Sequence, residues 1–317
     1  MTRHHLAPAL GLVALALSAC GAPAAAPAKA APPPLRTVTA ITDPGQVTRP
    51  IDGYLATADQ VREIFQAEDA VTSQCVRGYG LTPRGFQLLG LQELDSSRRT
   101  RGTLYGFFDP ATARSRGYAG TVVATPPPAR PGDAPLGPPS ADLQTAMTGH
   151  DPVTGKPVGS LNGRPLPAGG CTQRGHDALG DAEARLGESG LPDGGPKTPP
   201  DDPRLTAAYA AWSTCMQGKG YHYHDPIAAI ADQKWHPSHP NAQTTTQTTT
   251  QTTASAEEIA TATADVECKI TGNTVGVITA VQSAYDQRYI DTHAAQLAAY
   301  QRQYDELLKR AAQLVQN

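Results

Sequence analysis

The chain has 317 residues, a formal net charge of −3 and 17% charged residues, so no basic excess recommends nucleic acid as a partner. Its 29 prolines, 30 glycines and 5% aromatic residues predict long loops between short elements, on a chain long enough for one large or two small domains. The first element is an N-terminal Met1-Thr2-Arg3-His4-His5 followed by an apolar run from Leu6 to Leu17, broken only by Pro8 and Gly11. A charged start, a short apolar stretch and small residues after it predict a secretory signal. The run is too short to cross a bilayer, which takes about 20 apolar residues.

The run ends in Leu17-Ser18-Ala19-Cys20, which resembles the lipobox of bacterial lipoproteins. That resemblance implies cleavage before Cys20, a diacylglyceryl group on its thiol and a cell-membrane location on the extracytoplasmic face. The signal peptide is then 1–19. Residues 21–36 are mostly Pro and Ala, and such a segment favours extended polyproline II geometry over a core. We expect lipidated Cys20 and a tether over 20–50.

With Cys20 lipidated, Cys75, Cys171, Cys215 and Cys268 remain, an even set that in an exported chain reads as two disulfides. Four cysteines allow three pairings. We favour Cys75–Cys171 and Cys215–Cys268, because each joins sequence neighbours. Free buried thiols or a metal site are the alternatives, but no two cysteines stand at the C-x-x-C spacing of zinc sites.

Further along, Val61, Ile64, Phe65, Glu68, Val71 and Cys75 recur at helical spacing as a mostly apolar face and predict a helix over 57–77. The signals over 84–106 are mixed, with an apolar stretch at 86–91 and a basic cluster of Arg98, Arg99 and Arg101 that reads as solvated surface. Asp109 caps and Pro110 opens a short helix to Arg116. The Pro-rich stretch 122–139 is a loop, Ser140 caps a helix through Met147, and 149–170 reads as an excursion holding a small hairpin. A helix is expected from Gly169-Gly170-Cys171 to about Leu186, and another from Pro203, capped by Asp201 or Asp202, to Gly218. Both Cys75 and Cys215 lie near a helix end with Gly and Tyr beyond, which suggests two related halves, with one inserted residue in the second. The run 243–253 of Gln and Thr offers nothing apolar to bury and reads as a disordered loop. Ser255 starts a helix that Gly272-Asn273 interrupts. One helix of roughly forty residues, about 60 Å long, then follows from Thr274 to Gln316. On it Leu297, Tyr300, Tyr304, Leu307, Ala311 and Leu314 form a stripe, and Glu306 can pair with Arg310.

Phosphate-binding glycine loops, nucleophile elbows and zinc-helix motifs are absent from the sequence. One group has the residue types of a metal site: His222 and His224 in Tyr221-His222-Tyr223-His224-Asp225, with His236 and His239 nearby. Neutral imidazoles suit zinc and copper, and in a strand His222 and His224 would face the same way. The plainer reading is a polar loop.

Several short pieces resemble a group of secreted lipoproteins from actinobacteria of the Streptomyces type. They are Tyr105-Gly106, Asp109-Pro110, Gly117-Tyr118, Trp212-Ser213-x-Cys215-Met216, Gly220-Tyr221, Asp265-Val266-x-Cys268-Lys269 and Ala284-Tyr285. The resemblance brings no activity and no catalytic residue. Together these readings predict a mainly α fold of two disulfide-stapled helical units, 51–190 and 191–317, with long Pro/Gly-rich loops and a long C-terminal helix. The expected function is a non-enzymatic binding or accessory module of the cell envelope without a cofactor. Its partners would be the membrane, through the lipid on Cys20, and an envelope protein or cell-wall polymer. The alternative is a metal-handling protein or envelope enzyme using the histidine loop.

Overall fold

The computed structural model describes residues 31–84, 104–118, 139–180, 187–235 and 254–316. The expected signal peptide, Cys20, the apolar stretch 86–91, the basic cluster, most of the Pro-rich loop, His236, His239 and the threonine run lie outside the described residues. The protein is mainly α-helical: α1 is Ala58–Gly78, α2 Pro110–Arg116, α3 Ala141–Thr148, α4 Gly170–Leu179, α5 Pro203–Gly218, α6 Pro226–Ile230, α7 Ala256–Thr271, α8 Thr274–Thr292 and α9 Ala294–Gln316. The expected hairpin is two antiparallel two-residue strands, β1 Ser160–Leu161 and β2 Arg164–Pro165.

The caps explain where the helices start. Thr57 and Gln60 form a reciprocal capping box before α1. The side chains of Asp109, Ser140, Asp202, Asp225 and Ser255 accept backbone N–H bonds in the first turns of α2, α3, α5, α6 and α7. The repeated helix ending aligns without an insertion. α1 stops at Gly78 and α5 at Gly218, Tyr79 and Lys219 follow as C-caps, and Gly80 and Gly220 take positive φ of 76° and 89°. Tyr79 therefore corresponds to Lys219 rather than to Tyr221, and the glycine that ends each helix is the second one.

Two expectations change. Residues 33–50, expected as tether, pack on the body, with Ile41 and Val47 buried. Arg204 Nη1 donates to Pro33 O at 2.6 Å, and Asn273 accepts from Ile41 N at 3.1 Å while donating to Thr39 O at 3.2 Å. Asp43 and Gln46 make a second capping box that turns this segment, a signal that the proline count obscured. The forty-residue C-terminal helix is broken at His293 into α8 and α9. There the Thr292 hydroxyl bonds back to Arg288 O at 2.9 Å, and His293 caps α8 with φ −117° and ψ 18°.

The described residues from Pro33 on cluster as one compact unit, across the boundary expected at 190/191. The reason is the path of the last helix. Tyr304, Leu307 and Ala311 of α9 pack with Val61, Ile64 and Ala67 of α1. The largest core lies between α5, α7 and α8 around Trp212, Met216, Val266, Ile278 and Val281. The disulfides are Cys75–Cys171, linking α1 to α4, and Cys215–Cys268, linking α5 to α7.

Candidate functional site

Among the described residues, three ionic clusters bring inward-facing charged side chains together. The innermost is on α7, where Asp265 and Lys269 stand one turn apart and are both fully buried. Lys269 Nζ lies 2.8 Å from the Asp265 carboxylate and donates to Phe107 O at 2.6 Å. Trp212 Nε1 of α5 donates to Asp265 Oδ1 at 3.0 Å, and the Tyr118 hydroxyl, just beyond α2, donates to Oδ2 at 3.2 Å. Tyr118 is itself anchored, since its backbone N–H donates to Glu258 Oε1 at 3.0 Å. Both acid and base are thus closed in by aromatic rings. Burial pushes the Asp265 carboxyl up against the opposing pull of Lys269, and pushes the Lys269 amine down against that of Asp265. Burial, reinforced by Asp265, also raises the Tyr118 hydroxyl far above its ordinary value.

In the second cluster, Arg49 reaches Asp286 of α8 with a two-pronged fork, Nε to Oδ2 at 2.9 Å and Nη2 to Oδ1 at 2.6 Å. Its Nη1 donates to Glu188 Oε1 at 2.6 Å. One guanidinium therefore ties the 33–55 segment and the turn at 188–190 to the same helix. In the third, Asp202 accepts from Arg204 Nε at 2.8 Å and Nη2 at 2.6 Å and from the Tyr285 hydroxyl at 2.9 Å. The Arg204 hydrogen bonds hold the Asp202 carboxyl down at about 2. The Arg288 guanidinium sits 4.7 Å from the Tyr285 ring centre.

The histidines fall elsewhere. His222 and His224 alternate with the inward-packed Tyr221 and Tyr223, and both are exposed, the side on which an extended segment would place them together. His224 Nε2 is 3.0 Å from Asp225 Oδ2. Among the described residues no three His, Cys, Asp or Glu side chains converge as a metal site. Cys75, Cys171, Cys215 and Cys268 are all used in disulfides.

The four side chains of the innermost cluster went unnoticed as a site in the sequence. Asp265 and Lys269 have the i, i+4 spacing of a helical ion pair, a local signal that was available. Their partners Tyr118 and Trp212 are 147 and 53 residues from Asp265, which no periodicity reveals. Chemically, the cluster keeps an amine and a carboxyl in contact, away from water, with a donor on each carboxyl oxygen. No protein-family model, curated protein or solved structure matches this chain.

Proposed function

We propose that this protein is a membrane-anchored, extracytoplasmic lipoprotein of the actinobacterial type, serving the cell envelope as a non-enzymatic binding or accessory module. The observation that carries the reading is the use of its cysteines. Four of the five are consumed in two disulfides, which suit an oxidising compartment, and the fifth is Cys20 in Leu17-Ser18-Ala19-Cys20. A diacylated cysteine gives two buried chains, and a single acyl chain binds membranes only marginally. The inward charges support a scaffold: Lys269, Arg49 and Arg204 each hold a carboxylate, and each bonds a segment distant in sequence, at Phe107, Asp286 and Pro33.

Fractionation of the producing cells tests the anchor. The wild-type chain is expected in the membrane fraction, released by detergent but not by salt, and Cys20→Ala is expected to leave that fraction. Retention of Cys20→Ala in the membrane would overturn the proposal.

A further inference from the structure

The surroundings of Asp265 and Lys269 hold amine and carboxyl in contact at 2.8 Å, out of reach of water, with partners that a covalent product would also use. Around the two side chains stand two donors, Trp212 Nε1–H and the Tyr118 hydroxyl, on the carboxyl side, and one acceptor, Phe107 O, on the amine side. The Trp212 N–H on Oδ1 and Phe107 O beside Nζ are the complement of a secondary amide, whose carbonyl oxygen accepts and whose single N–H donates, and the Tyr118 hydroxyl stands on the oxygen that would leave. All four groups at this centre, Tyr118, Trp212, Asp265 and Lys269, are cut off from solvent. We propose that Asp265 and Lys269 are joined by an isopeptide bond between their side chains, formed spontaneously in the folded chain.

The reaction is a condensation of a neutral amine with a neutral carboxylic acid. The lone pair of Lys269 Nζ adds to Asp265 Cγ, and the negative charge that develops on Oδ1 is met by the Trp212 N–H. The Cγ–Oδ2 bond then breaks, and Oδ2 leaves as water. It carries the acid's own proton and one proton passed directly from Nζ, which lies 2.8 Å from Oδ2, while the Tyr118 hydroxyl donates to the same oxygen and helps it leave. One N–H remains on the new amide and keeps its bond to Phe107 O. No oxidant, reductant or further reactant is consumed. Burial favours the two neutral reactants over the charged pair, and the product removes that charge pair from the core.

The bond is independent of the lipid on Cys20, so it stands or falls by its own test. Tryptic mapping of the purified, reduced and alkylated full chain reads it directly. Between Lys234 and Arg288 the only trypsin site is Lys269, so an unmodified chain gives peptides Trp235–Lys269 and Ile270–Arg288. The isopeptide predicts instead a single peptide, Trp235–Arg288, uncut at Lys269, lighter by one water than its sequence mass, and without fragment ions between residues 265 and 269. The Asp265→Ala chain is expected to regain cleavage at Lys269 whether or not it folds. Two peptides of ordinary mass from the wild type would overturn the proposal, as would a missed cleavage without loss of water. A water loss that persists in Asp265→Ala would overturn it too.

Discussion

A wholly buried lysine nitrogen needs a compensating group, and for Lys269 that group is Asp265, as its ion partner before the proposed bond forms and as its acyl partner afterwards, held in turn by Trp212 and Tyr118. Removing one member of such a centre leaves the other without its partner in an apolar surround, at a cost of about 3–5 kcal/mol. Asp265→Ala should therefore lower the stability read by chemical denaturation, with disulfides intact, by about that amount. The double variant Asp265→Leu/Lys269→Met should recover a good part of the loss, because two apolar side chains need no partner; equal losses in the single and double variants would contradict this. Asp202 makes a second, pH-dependent contribution. Its carboxyl is held down at about 2 by Arg204, whereas an unfolded aspartate titrates near ~3.9. A depressed folded value stabilises above the unfolded one, so this contribution is complete above about pH 4 and is lost as pH falls towards 2. The thermal midpoint of the wild type should fall over that window more steeply than that of Asp202→Asn, and parallel curves would contradict the assignment.

At the scale of elements, local chemistry was legible and long-range packing was not. Asp109-Pro110, Ser140, Asp202-Pro203 and Ser255 announced four helix starts in the sequence, because a cap acts on backbone groups within its own first turn. The break at His293 was not announced. No glycine or proline marks it, and the Leu297–Ala311 stripe runs on with helical spacing beyond it; the break appears only as α9 turns to lie on α1. The packing of 33–55 was hidden in the same way, since its anchors Arg204, Asn273 and Asp286 are distant in sequence. Where α4 meets α1, Gly175 lets the two backbones approach closely: a Cβ there would stand 2.9 Å from Glu68 O. Alanine is worth about 1 kcal/mol more than glycine in a free helix, but overpacking against a backbone carbonyl costs about 1–3 kcal/mol. Gly175→Ala is therefore expected to destabilise the protein in denaturant titrations, and a stabilised variant would contradict so close a contact.

For the whole molecule, two disulfides and the long-range bonds of Lys269, Arg49 and Arg204 tie the described body together across large sequence separations. Cys75–Cys171 and Cys215–Cys268 bridge 96 and 53 residues. Loops of this size are the ones whose closure restrains the unfolded chain most, at about 4–5 kcal/mol each by the chain-entropy argument. Such a body suits life outside the reducing cytoplasm, and the proposed anchor at Cys20 would hold it there. The mass spectrum of the mature N-terminal peptide tests that claim most directly. The account predicts a chain that begins at Cys20 and carries a diacylglyceryl group on its sulfur. A mature chain that retains residues 1–19, or that begins elsewhere with an unmodified Cys20, would contradict it.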